Sequence, residues 1–191
     1  MRLGDTVLKQ LFLEARTNRA WLPREVPESA LKEIVDVMKM GPTAFNCLPA
    51  RVIYVRSKAA REKLKPHLSS GNVDKTMAAP ATAIIGHDLR FFEHPPKGQD
   101  NIAMYVGKPD QALVAALRNG SLQGAYFMIA ARALGLDVGP MSGFDNAGVD
   151  KEFFAGTDVK SNFLCNVGYG DPAALRPRSH RFAFDEMAQI L

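Results

Sequence analysis

Cysteine is scarce in this chain: Cys47 and Cys165 stand far apart, outside any C-x-x-C or Cys/His ligand spacing. A disulfide framework and a zinc site are therefore not expected. No apolar run approaches the roughly 18 residues needed to span a membrane. Met1 to Gln10 turns polar after its first few residues and holds no signal-type hydrophobic segment. A soluble, cytoplasmic protein with no membrane partner is the expectation. G-x-S-x-G, H-E-x-x-H and the Walker A loop are all absent, and His67, His87, His94 and His180 are scattered with no i, i+4 pair. These absences argue against a serine triad, a zinc hydrolase and a phosphate-binding P-loop.

What is present is ordinary in bulk. The 191 residues are 47% hydrophobic and 23% charged, which sets aside disordered and collagenous classes and suits one domain over residues 1–191. Twenty-four Lys and Arg against twenty Asp and Glu leave a net charge of +4. Such a surplus can serve a nucleic acid, a membrane or a small anion, and the placement of the arginines decides among them.

Helical spacing of Val7, Leu8, Leu11, Phe12 and Ala15 predicts an amphipathic first helix from about Asp5. A second runs from Pro27 to about Met40, with Leu31, Ile34, Val35 and Met38 on one face and Gly41-Pro42 closing it. Arg51–Val55, Ala81–Ile85 and Asn162–Val167 are rich in β-branched, aromatic and other apolar residues and read as buried strands. Lys58 to Leu68 has the pattern of a surface helix with a solvated basic face. Phe91 to Pro109 shows no period and reads as a long loop or lid. Asp110 to Leu134 is the longest helical pattern, apolar around much of its circumference, and belongs in a core or a subunit interface. Short helices are expected near Ala147 to Phe154 and within Phe184 to Leu191. Several helices with few strands, lacking strict βαβ alternation, indicate an α+β layer architecture.

Gly168-Tyr-Gly170-Asp-Pro-Ala173 matches G-x-G-x-x-A after a predicted strand. Pro172 and the remaining chain leave no room for a βαβ unit, so a turn is the better reading. More informative are polar groups gathered just past element ends, where function concentrates. They are Arg16-Thr17-Asn18-Arg19, Pro42-Thr43-Ala44-Phe45-Asn46, Asn72-Val-Asp-Lys75 and Pro140-Met141-Ser142-Gly143. Singly, each has an ordinary explanation as a turn, a cap or a solubilising charge.

Taken in order, with Gly135-Leu-Asp-Val-Gly-Pro140 and an arginine-rich segment after Gly168-Tyr169, they resemble the FMN-dependent nitroreductase family nearly end to end. Gly41–Arg51, Ser69–Asn72 and Gly139–Asp145 most resemble its malonic semialdehyde reductase subgroup. The resemblance implies a nitroreductase-like fold, with a central mixed β-sheet flanked by helices, in an intertwined homodimer with shared FMN sites. It places Arg16, with Thr17 and Asn18, at the FMN phosphate and flavin edge, a pairing that charge-assisted guanidinium chemistry favours. Pro42, Thr43, Ala44 and Asn46 would reach the flavin from the partner subunit. Asn72 would meet the pyrimidine edge with Lys75 one turn later, and Pro140, Met141, Ser142 and Gly143 would line flavin N5 and O4. Arg178 and Arg181 would form a second phosphate clamp, with Arg176 in reserve.

Ala20 stands where many members carry a lysine near flavin N1 and O2, so the resemblance implies a lowered flavin potential unless Arg19 or Arg24 supplies that charge. Phe45, Phe92 and Tyr105 would wall the ring beneath the lid. The mechanism implied is ping-pong, with NADH or NADPH giving hydride to flavin N5 and a small-molecule acceptor then taking it, so no protein nucleophile is needed. Malonic semialdehyde is the leading acceptor, a broader nitro- or quinone reductase the alternative, and a basic nucleic-acid-binding protein the remote one.

Overall fold

The computed structural model describes residues 2–98 and 100–191. Four strands, β1 (Ala50–Val55), β2 (Ala81–Asp88), β3 (Asp137–Met141) and β4 (Val159–Gly168), form one sheet in the order β1-β2-β4-β3. All three ladders are antiparallel, whereas a mixed sheet was expected. The parallel pairing found among the described residues is a single bridge, Thr17 to Val138. β2 is buried at every position, polar Thr82, His87 and Asp88 included, as befits an inner strand with helices on both faces.

The third strand was not legible as one. Its Gly139-Pro140 pair is poor strand sequence, but β3 is an edge, where a proline's missing N–H costs no ladder bond. A Cβ on Gly139 would lie 2.5 Å from the carbonyl oxygen of Asn18, so only glycine lets the Arg16–Asn18 segment run this close to the strand.

Helices cover both faces. On one, α2 (Glu28–Met38) and α5 (Pro109–Ala133) bury Leu31, Ile34, Met38, Phe127, Ala130 and Ala131 against Ala81, Ala83 and Ile85. The buried stripe of α5 is made of small residues, and a Cβ at Gly120 or Gly124 would strike His87 at 2.7 Å or Phe163 at 2.5 Å. Leu113, Val114, Leu117 and Leu122, outside that stripe, are exposed. On the second face, α3 (Lys58–Leu64) and α6 (Asn146–Phe153) set Leu64 and Val149 against Ile84, Met141 and Leu164.

Three further expectations change. The first helix is α only over α1 (Asp5–Leu8) and continues as a π turn, Lys9–Leu13, with no buried residue. The basic surface helix ends at Leu64, four residues short of Leu68, as Lys65–His67 tightens around Pro66 into a 3₁₀ turn. Ser70–Met77, left without an element, is a helix, α4; its polar sequence buries only Thr76, so no apolar stripe announces it.

The expected lid is largely packed structure. Phe91–Glu93 and Asp100–Tyr105 are 3₁₀ turns, and Phe91 and Ile102 are fully buried with Cys47, Ala112 and Ala116. Tyr105 meets Phe91 edge-on with centroids 5.1 Å apart, and Phe92 packs on the same ring, so both serve a small core. Gln99, within the expected lid, lies outside the described residues. The Gly168–Ala173 motif is a turn into a 3₁₀ segment capped by Asp171, which accepts from the Ala173 amide at 2.9 Å. The last helix, α7 (Phe184–Met187), lies in an exposed C-terminal arm. No helix among the described residues is long and apolar enough to cross a membrane.

Candidate functional site

The Arg16–Asn18 segment is laid against β3 by the amide of Asn18, which donates to the Val138 carbonyl at 3.0 Å. The C-terminal arm returns over it. Arg178 donates to the carbonyls of Leu13 and Ala15 at 2.7 and 2.9 Å, and Arg16 donates to the carbonyl of Arg176. These crossed contacts enclose a cavity of about 790 Å³ lined by Arg16, Arg19, Arg132, Arg176, Arg178 and Arg181, with Thr17 and Ser179 between them and no carboxylate on its wall. Six guanidinium groups without a carboxylate are chemically suited to an oxyanion, which would relieve the repulsion among them. Burial pushes the pKa of Arg132 down, with Arg178 adding a lesser push and Asp137 opposing it.

Asn18 is placed differently from Arg16. It is buried, its Nδ2 donates to the Arg16 carbonyl at 3.3 Å, and a Cβ on Gly170 would fall 2.1 Å from its Oδ1. Its amide therefore holds the turn on which Arg16 and Thr17 are mounted.

A second group adjoins through β3 and α4. Asn72 Nδ2 donates to the Gly143 carbonyl at 2.7 Å, and the amide of Ser69 donates to the same oxygen at 3.1 Å. Thr76 donates to the Met141 sulfur at 3.4 Å, fixing α4 along the end of β3. Ser142 stays exposed and Pro140 and Gly143 half-buried, which leaves polar backbone available at this strand end. Lys75 is half-buried on α4; burial, and secondarily the charge of Arg19, hold its pKa below the usual lysine value. Arg24 stacks over the Tyr169 ring at 3.7 Å, whereas Arg19 lines the arginine cavity. Of the two replacements considered for the missing lysine, Arg19 is the one at the cavity.

Pro42, Thr43, Ala44 and Asn46 lie apart from both groups. The Ala44 amide donates to Asn119 Oδ1 at 2.8 Å, Tyr126 donates to the Pro42 carbonyl at 3.0 Å, and Thr43 Oγ1 accepts from the Leu48 amide. Asn119 and the cavity-lining Arg132 are thirteen residues apart on α5, roughly 20 Å along the axis at 1.5 Å per residue. Phe45, Asn46 and Leu48 all have positive φ, at 52°, 52° and 39°, and Phe45 is 49% exposed. Non-glycine residues in this region store strain, and such strain gathers at functional loops.

Sequence reasoning missed Arg132, Asn119 and Gln123. Arg132 was visible as a basic residue in the last turn of the long helix, and Asn119 and Gln123 as two amides four apart in an otherwise small and apolar stripe. Both amides hold the backbone at the strained loop, Gln123 accepting from the Ala50 amide at 2.9 Å. Among the described residues no group of three or more His, Cys, Asp or Glu side chains is placed to hold a metal ion.

Known proteins resemble this chain over its whole length. A protein of Stenotrophomonas maltophilia strain K279a, provisionally named as an NADH dehydrogenase/NAD(P)H nitroreductase, is 59% identical over 98% of this chain and 97% of its own. A Bacillus subtilis protein provisionally titled a nitroreductase superposes with a TM-score of 0.87 at 22% identity, over 98% of this chain and 100% of that one. One from Exiguobacterium sibiricum 255-15, provisionally titled a nitroreductase and solved in complex with FMN, gives 0.83 at 16% identity over 100% and 98%. The nitroreductase family model matches residues 13–169. This chain belongs to the nitroreductase family.

Proposed function

We propose that this protein is a single-domain, cytoplasmic FMN-dependent NAD(P)H oxidoreductase that reduces a small semialdehyde, malonic semialdehyde to 3-hydroxypropionate, by a ping-pong mechanism. FMN and NADH or NADPH are its cofactors. The observation that carries the reading is the concave arginine cavity, whose Arg16–Asn18 segment is laid along β3, the strand that runs on to the Asn72–Gly143 tie. A concave cluster suits a small phosphate, where a nucleic acid would want an extended basic surface.

Arg16, Arg178 and Arg181 would hold the FMN phosphate, with Thr17 adding a hydroxyl. Asn72, Lys75 and the backbone of Pro140, Met141, Ser142 and Gly143 would meet the ring. Bound FMN supplies the two-electron transfer between nicotinamide and acceptor, which is why no nucleophile or metal is asked of the protein. The protein's share is placement and charge: guanidinium groups fix the anionic end, and Lys75 with Arg19 offers positive charge near the ring.

Homodimerisation completes the site in this reading. The strained loop carrying Pro42, Thr43, Ala44, Phe45 and Asn46 is too far from its own arginine cavity, so it serves the cavity of a second copy. Exposed Leu113, Val114 and Leu117 on α5, with Phe182 and Phe184 on the arm, supply the apolar surface for such a pairing.

A broader nitro- and quinone-reducing activity is the second reading, favoured by the nitroreductase name of the 59% identical relative. Turnover of malonic semialdehyde, nitroaromatics and quinones under one set of conditions separates the two. A higher kcat/KM for the semialdehyde supports the first, and a higher value for the aromatics replaces it with the second.

A further inference from the structure

A second cleft, beside the Leu22–Val26 loop that follows Trp21, has the chemistry of another anion site. Trp21 donates its ring N–H to the Lys75 carbonyl at 3.0 Å, and the next residue, Leu22, lines a cleft of about 470 Å³ together with Arg24, Arg56 and Arg61. The three come from separate elements: the Leu22–Val26 loop, the end of β1 and the helix α3. None lines the cavity assigned to the cofactor.

Each guanidinium is held in place by something other than a carboxylate. Arg56 donates to the Val26 carbonyl at 2.9 Å, Arg61 to those of Pro80 at 2.8 Å and Met77 at 3.4 Å, and Arg24 is stacked on Tyr169. Elsewhere Arg2, Arg51 and Arg90 each pair with a neighbouring aspartate or glutamate. Among the described residues none of Arg24, Arg56 and Arg61 makes an ion pair, although Glu25 lines the same cleft and Glu28 is close enough for Arg56 to lower its pKa while pairing with Lys32.

Carbonyl and ring contacts fix a guanidinium without neutralising it, and arginine has five N–H donors, so each retains unused donors. Three fixed guanidinium groups at one concavity, with Glu25 on its wall and Glu28 near Arg56 but neither ion-paired to them, match a polyvalent oxyanion. The volume exceeds that of a single phosphate. We propose that this cleft binds a pyrophosphoryl group, free or carried on a small metabolite, at a site separate from that of FMN. Occupancy would be felt at the end of α4 and in the turn after it, whose carbonyls at Met77 and Pro80 are the ones Arg61 holds, and by Trp21, the chain's one tryptophan.

The test is a titration of the protein saturated with FMN, so that the arginine cavity is occupied, using inorganic pyrophosphate at constant ionic strength. Calorimetry and Trp21 fluorescence are read together. Saturable binding is expected, weakened at least tenfold in Arg24→Gln. Unlike those of Arg56 and Arg61, the Arg24 side chain is not hydrogen-bonded to a backbone carbonyl, and its own amide bond to the Leu22 carbonyl survives substitution, so this variant keeps the test valid if Arg61→Gln fails to fold. Absence of saturable binding to the wild type overturns the proposal, as does equal affinity in Arg24→Gln. A protein that takes up no FMN is titrated in the same way: it would defeat the proposed function, while Arg24 dependence alone still decides this site.

Discussion

The side-chain amide of Asn72 and the carbonyl of Gly143 meet at 2.7 Å, and this bond joins a helix that the sequence did not announce to a strand that it did not announce. A Cβ on Gly143 would lie 2.7 Å from that same Asn72 nitrogen and 3.2 Å from Ser69 Oγ. Gly143→Ala should therefore displace Asn72 with little loss of stability, about 1 kcal/mol for one hydrogen bond. FMN retention, followed by flavin fluorescence on dilution, is expected to weaken about tenfold. Unchanged retention would remove the Asn72–Gly143 tie from the site.

Arg178 closes the arginine cavity by holding two carbonyls of the first segment. Arg178→Ala loses two charge-assisted bonds and one guanidinium of the cavity proposed to hold the phosphate. With roughly 1.5–3 kcal/mol for a hydrogen bond to a charged group, a 10- to 100-fold rise in the Kd for FMN is expected, with a lesser sensitivity of that Kd to salt. Equal Kd values for wild type and variant would place the phosphate elsewhere.

Asn119, 2% exposed, is the brace beneath the strained Phe45 loop through its bond to the Ala44 amide. Asn119→Ala leaves that amide without its partner and opens a small cavity, at a cost of about 1–3 kcal/mol. Urea unfolding should show the loss. FMN binding should also fall if the loop serves a second copy, and gel filtration should show a weaker dimer.

His87 is buried, and its Nδ1 has no hydrogen-bond partner. Burial pushes its pKa down, with Asp150 opposing by a smaller amount. The unfolded chain then binds a proton more readily than the folded one. Stability should therefore be full above pH about 6.5, the ordinary histidine value, and fall on acidification from there toward the folded-state pKa. The slope is at most about 1.4 kcal/mol per pH unit for one group. Comparing urea midpoints at pH 8 and pH 5 in wild type and His87→Gln checks this: the drop should shrink in the variant, and an identical drop would acquit His87.

The sequence showed most clearly what apolar patterning writes. The long helix, β2 and β4 emerged because each buries a stripe or a whole run of apolar residues. β3 and α4 were obscured because they are held by other means, an edge position that tolerates Pro140 and an Asn72 side-chain bond, with few buried apolar residues to set a period. The segment after Phe91 misled through its prolines and glycines, which concealed Phe91 and Ile102 as anchors of a small core.

The site was legible by kind and order more than by place. Resemblance selected Arg16 and Arg178, and the structure puts both on one cavity; it also paired Asn18 with Arg16, yet the Asn18 side chain is turned to Gly170. Arg132 enters the cavity from α5, far along the chain, a convergence that no local pattern could carry.

The central claim, a flavin-bearing reductase, is tested most directly by the visible spectrum of the purified protein before and after anaerobic addition of NADH or NADPH. A yellow protein whose flavin bands bleach with either nicotinamide, and return when malonic semialdehyde is added, is the predicted result. A protein that purifies colourless, takes up no added FMN and shows no bleaching would contradict it.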